Sequence, residues 1–310
     1  MNSFLFRTTY GAACIFFALA TNAQEINYPK VSSPVGYGDV VDLPSRTPDH
    51  TIAYTSDSEW QFGQLWLPPE NNTQQLASYP TIIFIHGGCW LSEYDITHTN
   101  ALSTALSQAG FLVWSLEYRR VGNSGGGWPG TFSDIAQGID YIRELAVGYP
   151  IDLNAVALMG HSAGGHLALW AVGRQGFDQQ HPFYQPNPFI PKAVIGLAAI
   201  TDLPSYAAIS GSCNSAAQQL MGGSIADLQQ RYSFANPIVA SASIGYILFQ
   251  GRQDNIVPMS QAKAFASFGT SNVTLSLIEN AGHFDLIHPG TDAWQTVLDA
   301  LTQTIGGQVD

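Results

Sequence analysis

Charged residues are scarce in this chain of 310 residues. Only 11% of the residues are charged, and no block of like charges or low-complexity tract occurs, so extensive disorder is excluded. The 23 acidic residues outnumber the 11 basic ones, and the formal net charge of −12 argues against nucleic acid or anionic lipid as a partner. The sequence also lacks an H-E-x-x-H motif and any Cys/His cluster, so it predicts no metal site.

Long hydrophobic runs are missing as well. The strongest one, residues 11–20, is too short to span a bilayer. It follows Arg7 and precedes small residues that end at Ala23, which is typical of a secretory signal peptide. We expect a signal peptide over residues 1–23, a mature chain over 24–310, and a secreted or periplasmic protein without stable membrane association after cleavage. A retained N-terminal membrane anchor is the alternative.

Cysteine is rare, with three residues in total. Cys14 lies within the expected signal peptide, so Cys89 and Cys213 remain in the mature chain. In an exported protein two such cysteines can form a disulfide, but a sequence does not show whether their Cα atoms lie within bridging distance. A disulfide and two free buried thiols therefore both stay open.

Short apolar runs alternate along the chain with helix-like segments. The strand candidates are residues 51–55, 62–67, 81–85, 111–116, 155–159, 193–197, 244–249 and 273–278. The helix candidates are residues 98–109, 133–147, 163–174, 260–268 and 292–304. This alternation predicts one α/β domain with a mostly parallel central sheet and helices on both faces. Two segments, 176–192 and 202–243, interrupt it, and each either covers an active site or forms a surface loop.

The motif Gly160-His161-Ser162-Ala163-Gly164 lies where a predicted strand gives way to a predicted helix. In that setting G-x-S-x-G forms a sharp turn that exposes the serine hydroxyl at the carboxyl edge of the sheet. The start of the following helix favours negative charge that develops there. Ser162 is therefore the candidate nucleophile, with an ordinary strand–helix turn as the alternative.

A serine hydroxyl needs a base before it becomes nucleophilic at neutral pH. Asp254 and His283 follow the last two predicted strands, so the chain order is serine, aspartate, histidine, as in proteins with this serine turn. Parallel strands place such residues at one edge of the sheet. We expect His283 to accept the proton of Ser162 and Asp254 to orient the imidazole. His288 and Asp202 are the alternative base and acid.

The run His86-Gly87-Gly88-Cys89-Trp90 directly follows another predicted strand. Its two glycines allow backbone N–H groups to approach a substrate oxygen closely, so we expect an oxyanion hole formed by the amide of Gly88 or Cys89 together with the amide of Ala163.

Three residues beside these motifs are candidate substrate-binding residues: Trp90, Trp128 and His161. For the two tryptophans, packing within the protein is the alternative. His161 flanks the nucleophile, and its side chain is expected to point away from the serine hydroxyl.

Taken together, the motifs HGGCW, EYRR, GHSAGGHLA, RQDNIVP and GHFDLI resemble those of the α/β-hydrolase family, and within it small esterases and the kynurenine-formamidase-like branch. That branch commonly has an aromatic residue where Cys89 stands. The resemblance implies the α/β-hydrolase fold with a small cap region, and a serine hydrolase that cleaves small carboxylic esters through an acyl-enzyme on Ser162. No cofactor is implied.

The resemblance leaves three alternatives: an arylformamidase-like amide hydrolase, a serine peptidase, and a non-catalytic binding protein on the same fold. The expected partner is a small ester or amide substrate. The sequence does not determine the acyl group, the leaving group or the oligomeric state.

Overall fold

An eight-stranded sheet forms the centre of the protein in a computed structural model that describes residues 25–69, 76–209, 211, 213–237, 244–268 and 272–306. Its strands are β1 (His50–Ala53), β2 (Phe62–Trp66), β3 (Tyr79–Ile85), β4 (Leu112–Leu116), β5 (Ile151–His161), β6 (Ala193–Leu197), β7 (Gly245–Gly251) and β8 (Val273–Ile278). The order across the sheet is β1-β2-β4-β3-β5-β6-β7-β8. The expected signal peptide, residues 1–23, lies outside the described residues.

The strands from β3 to β8 pair in parallel, whereas β1 and β2 join the edge next to β4 in antiparallel pairs. Along β3, Ile82 and Phe84 face one hydrophobic layer, and Ile83 and Ile85 face the other. Successive strand residues point to opposite faces, so a strand that is covered on both sides forms a continuous apolar run. The mostly parallel sheet predicted from those runs is therefore confirmed.

Helices cover both faces of the sheet. They are α1 (Tyr37–Val41), α2 (Asn100–Gln108), α3 (Gly130–Asp140), α4 (Ile142–Gly148), α5 (Ala163–Val172), α6 (Leu203–Ala207), α7 (Asn214–Met221), α8 (Gln229–Ala235), α9 (Ser260–Ser267) and α10 (Asp292–Ile305). Apolar residues of α2 and α10 pack on one face, and those of α3 and α5 pack on the other. No helix among the described residues is both long enough and apolar enough to cross a bilayer.

The two segments that interrupt the alternation of strands and helices differ in their structure and position. The segment 202–243 contains α6, α7 and α8, and Cys213 at the start of α7 is joined to the loop after β3. The segment 176–192 packs outside α5, where Phe183 lies edge-to-face on Trp170 with 5.1 Å between ring centroids. Only the first of these two segments therefore contributes a described residue to the cavity reported below.

Candidate active site

Ser162 lies at the turn between β5 and α5 with a left-handed backbone (φ 56°, ψ −119°). A residue other than glycine in this region costs roughly 1–3 kcal/mol, and such strain often marks functional sites. The flanking glycines permit the turn, because a Cβ on Gly160 would lie 2.2 Å from the carbonyl oxygen of Gly164. A Cβ on Gly164 would lie 2.1 Å from the carbonyl oxygen of Ile85. The motif thus has the strained strand–helix geometry that exposes a serine hydroxyl.

His283 and Asp254 are hydrogen-bonded to each other after two neighbouring strands. Nδ1 of His283 lies 2.8 Å from Oδ2 of Asp254. An ionised carboxylate only accepts hydrogen bonds, so Nδ1 carries the proton and Nε2 keeps its lone pair. The other oxygen, Oδ1, accepts hydrogen bonds from the amides of Ile256 (2.8 Å) and Val257 (2.9 Å).

The electrostatics of Asp254 follow from these contacts. Burial alone would raise the pKa of its carboxyl group, but the hydrogen bonds from His283 and from the two amides outweigh burial and lower the pKa below its usual value. Asp254 is therefore ionised at neutral pH, which fixes the tautomer of His283.

Ser162 and His283 line one cavity of about 460 Å³ at the carboxyl edge of the sheet. Other residues of its wall include Tyr37, Gly88, Cys89, Tyr94, His98 and Phe284. The structure thus brings the predicted serine and histidine into one cavity and the predicted aspartate into contact with that histidine.

The alternative base and acid make other contacts. Nδ1 of His288 accepts a hydrogen bond from the amide of Gly290 at 3.0 Å, and Oδ1 of Asp202 accepts one from the side-chain amide of Asn236 at 3.2 Å. His288 does not line the cavity, and the hydrogen bond to Nδ1 of His283 is made by Asp254. The geometry therefore favours His283 and Asp254 over both alternatives.

The loop after β3 has three consecutive residues with positive φ: Gly88 (102°), Cys89 (53°) and Trp90 (58°). This conformation directs Gly88 and Cys89 to the cavity beside Ser162. None of the hydrogen bonds formed among the described residues uses the amides of Gly88, Cys89 or Ala163 as donors. Unused N–H groups beside a serine are what a developing oxyanion requires.

The carboxylate of Glu117 supports the loop after β3. The sequence did not reveal this role. The fully buried carboxylate lies 3.1 Å from Nε2 of His86 and accepts hydrogen bonds from the amides of Tyr118 (2.8 Å) and Ile96 (3.0 Å). Arg120 lies 3.3 Å from the same carboxylate. His86 precedes the glycines of the loop, so this network holds the loop where it leaves β3. Glu117 and His86 are 31 residues apart, and no spacing motif links them.

Two of the three predicted substrate-binding residues lie away from the cavity. Trp90 is fully buried and contacts the edge of the His166 ring, with 5.3 Å between centroids. Trp128 packs against Phe132 with a centroid distance of 5.2 Å. Neither indole lines this cavity, and both contribute to packing, which is the alternative that the sequence left open. His161 does line it.

His161 contacts the loop that carries the predicted base. Its Nε2 lies 3.0 Å from the carbonyl oxygen of His283, so Nε2 donates, and the two imidazole rings are 4.6 Å apart. Burial and the neighbouring His283 hold the pKa of His161 well below its usual value. A neutral His161 therefore supports the backbone of His283 without adding charge beside it.

Several residues of the cavity wall carry no motif and were not predicted. Tyr37 comes from the segment before β1, Tyr94 from the loop after β3, and His98 from the turn before α2. Nδ1 of His98 lies 2.6 Å from the carbonyl oxygen of Asp95. Burial and the nearby His86 lower the pKa of His98 to about 4, so it is neutral at pH 7. Among the described residues, no group of three His, Cys, Asp or Glu side chains is arranged to hold a metal ion.

Cys89 and Cys213 form a disulfide, with 5.2 Å between their Cα atoms. This answers the question that the sequence left open. The bond ties the loop beside Ser162 to α7, 124 residues further along the chain, and both cysteines line the cavity.

Solved structures with the same fold are described as esterases. A truncated form of a carbohydrate esterase from gut microbiota superimposes with a TM-score of 0.69 at 22% identity, covering 85% of this chain and 98% of that one. Esterase B from Lactobacillus Rhamnosis (HN001) gives a TM-score of 0.69 at 21% identity, covering 84% of this chain and 89% of that one. At this level of identity the likeness shows the fold, and the predicted α/β-hydrolase fold is confirmed.

Curated relatives point in the same direction. Esterase LipQ of Mycobacterium tuberculosis (strain ATCC 25618 / H37Rv) is 23% identical over 250 residues, which is 78% of this chain and 58% of LipQ. The kynurenine formamidase-like hydrolase fscH of Fusarium equiseti is 29% identical over 174 residues, which is 48% of this chain and 54% of fscH. The chain spans about half the length of the curated relatives it matches. The model of one family, BD-FAE, matches residues 65–268, and the chain therefore belongs to the BD-FAE family, on an α/β-hydrolase fold.

Proposed function

We propose that the protein is a serine hydrolase that cleaves small carboxylic esters through an acyl-enzyme on Ser162. The observation that carries this proposal is the arrangement at the cavity. A serine on a strained turn shares the cavity with a histidine whose Nδ1 is hydrogen-bonded to the ionised Asp254. Esterases among the curated relatives, such as LipQ, support the same reaction class.

The first half of the proposed reaction forms the acyl-enzyme. Oγ of Ser162 attacks the ester carbonyl carbon while Nε2 of His283 takes the hydroxyl proton. The carbonyl oxygen becomes an oxyanion, which the amides of Gly88, Cys89 and Ala163 stabilise. The tetrahedral intermediate then collapses, the bond to the alcohol oxygen breaks, and His283 returns its proton to that oxygen.

The second half releases the acid. His283 takes a proton from water, the hydroxide attacks the acyl carbonyl, and the proton passes to Oγ as Ser162 leaves. Asp254 stabilises the imidazolium in both halves. The nucleophile, the base and the oxyanion donors all come from the chain, so the proposed reaction needs no added cofactor.

Hydrolysis of an amide, in particular an arylformamide, is the alternative reaction. Its support is the likeness to fscH, and it would use the same residues. Cys89 stands where the formamidase-like motif commonly has an aromatic residue, which weakens the transfer of formamidase specificity to this chain. A peptidase or a non-catalytic binding protein has no specific support from the contacts of this site.

Export from the cytoplasm is part of the same proposal. The N-terminal sequence supports a signal peptide that ends at Ala23, and the disulfide between Cys89 and Cys213 supports an oxidising compartment. N-terminal sequencing of the protein from culture supernatant or periplasm is expected to begin at Gln24. A chain that begins at Met1 in the membrane fraction would contradict export with cleavage.

The experiment that tests the reaction compares the mature protein with Ser162→Ala. The panel contains p-nitrophenyl esters of increasing acyl length and N-formylkynurenine. We expect turnover of the short esters, and its loss in Ser162→Ala. Ser267→Ala is the matched control, because Ser267 is exposed on α9 and its hydroxyl donates a hydrogen bond to the carbonyl oxygen of Lys263 in the same helix. A preference for N-formylkynurenine would favour the amide reaction, and equal turnover in Ser162→Ala would refute the proposed nucleophile.

A further inference from the structure

The segment before β1 crosses the loop that carries His283. We call residues 25–41 the N-terminal strap. The amide of Val35 donates a hydrogen bond to Oδ2 of Asp285 at 3.1 Å, and the amide of Gly282 donates to the same oxygen at 2.8 Å. Asp285 is fully buried, and further along the amide of Val31 bonds to the carbonyl oxygen of Gly290 at 2.9 Å. The strap is therefore anchored at Asp285 and at Gly290, two positions of the segment that follows His283.

This anchoring brings the side chain of Tyr37 to the cavity. Its ring lies 5.6 Å from that of Phe284 and 5.6 Å from that of Tyr94, the second in an edge-to-face arrangement at 87°. The ring also lies 5.9 Å from His98. Tyr37 nevertheless keeps 36% of its surface exposed. We call Tyr37, Tyr94 and Phe284 the aromatic wall.

The direction of the proposed reaction determines which part of a substrate meets this wall. His283 returns its proton to the leaving oxygen, so the leaving group lies beside His283. Phe284 is the next residue and contacts the ring of His283 edge-to-face at 5.0 Å. Tyr37 packs against Phe284. The aromatic wall therefore extends from the base along the side on which the alcohol leaves.

We propose that Tyr37 is a specificity-determining residue that recognises a ring on the leaving alcohol. The inference rests on the proposed ester hydrolysis and adds to it the chemical class of the leaving group. The strap and Phe284 both lie outside the residues 65–268 that match the family model, so this part of the wall belongs to a region that the family match does not cover.

Loss of the Tyr37 ring removes a contact surface. The contact between two aromatic rings changes an equilibrium constant by about threefold to tenfold, in addition to the effect of the apolar area that it buries. We therefore expect Tyr37→Ala to raise the KM for an ester with a ring on the alcohol by about threefold to tenfold, with kcat nearly unchanged. An ester of a small alcohol has no ring for Tyr37 to contact, so we expect its KM to stay unchanged.

The test uses three esters and three variants. Ethyl butanoate and benzyl butanoate differ only in the leaving alcohol, whereas ethyl phenylacetate carries the ring on the acyl side. Tyr37→Ala is expected to lower kcat/KM for benzyl butanoate alone, and Tyr37→Phe is expected to retain it. Tyr28→Ala is the matched control, since Tyr28 lies on the same strap but bonds to the carbonyl oxygens of Pro44 and Ala101 away from the cavity. Circular dichroism and thermal melting establish that each variant is folded.

A binding measurement separates this inference from the proposed reaction. N-benzylbutanamide has the shape of the benzyl ester, and its Kd is measured by isothermal titration calorimetry. If the wild type hydrolyses none of the esters, the proposed reaction fails, and a Kd that rises at least threefold in Tyr37→Ala still supports the aromatic wall. The inference is overturned if Tyr37→Ala leaves the ratio of benzyl to ethyl ester unchanged, if it affects ethyl phenylacetate equally, or if the wild type does not bind the amide.

Discussion

Removal of the disulfide between Cys89 and Cys213 is expected to lower both stability and turnover. In the chain-entropy model, a bond that closes a loop of 124 residues restricts the unfolded state by about 5 kcal/mol, and measured losses of native disulfides are typically about 2–5 kcal/mol. For a domain of this size each kcal/mol shifts the Tm by about 2–4 °C, so Cys89→Ala/Cys213→Ala should melt about 5–15 °C below the wild type.

Turnover should fall for a separate reason. Cys89 is an expected oxyanion donor and its loop is tied to α7 by this bond. Loss of one oxyanion donor costs about 10²–10³ in kcat, so loosening of the loop should cost less, about tenfold. The assay combines calorimetry with kcat for a short ester. Reductant should reproduce both losses in the wild type and have no effect on the double variant. A Tm that changes by less than about 2 °C on complete reduction would show that the disulfide does not stabilise the folded protein as expected.

Three further predictions follow from the contacts of the site. Asp254→Asn should lower kcat by about 10³–10⁴ with little change in KM, because the amide favours the wrong tautomer of the base; kcat within tenfold of wild type would contradict this. Burial lowers the pKa of His98 and His166 to about 4, whereas a histidine in the unfolded chain has a pKa of about 6.5. Between these two values the unfolded state binds more protons than the folded state, so the free energy of unfolding falls as the pH falls through this range. Each histidine should lower the free energy of unfolding by about 2 kcal/mol between pH 7.5 and 5, as measured by urea unfolding. A free energy of unfolding that stays constant over this range would contradict the prediction. Gly164→Ala should prevent folding or activity because its Cβ meets a backbone oxygen, whereas Gly148→Ala, whose Cβ meets nothing within 4 Å, should be tolerated.

The sequence predicts where the strands lie along the chain and which residues follow them, because both depend on local pattern. Strands covered on both faces form continuous apolar runs, and β6, which is buried along its whole length, has the predicted bounds of 193–197. The edge strand β8 is only partly buried, and it too has its predicted bounds, 273–278. Parallel pairing then brings the residues after successive strands to one edge, which is why Ser162, Asp254 and His283 could be predicted to lie near one another without a structure.

The helices and the wall of the cavity were less accessible. The segment 133–147 has one helical pattern, yet it forms two helices, α3 and α4, that meet at Tyr141. Tyr37 lies far from every motif in the sequence, and long-range contacts bring it to the cavity, such as the hydrogen bond between Val35 and Asp285, 250 residues apart. Trp90 and Trp128 lie outside this cavity, and the sequence could not show this because an aromatic residue beside a motif serves packing as readily as substrate binding.

Covalent labelling is the sharpest test of an acyl-enzyme on Ser162. The mature protein is treated with a small alkyl fluorophosphonate, its turnover of a short ester is followed, and the modified peptide is identified by mass spectrometry. We expect one adduct, on Ser162, with turnover lost in proportion to labelling. We expect no adduct in Ser162→Ala. An adduct on another residue that abolishes turnover, or full labelling of Ser162 with turnover retained, would contradict an acyl-enzyme on Ser162.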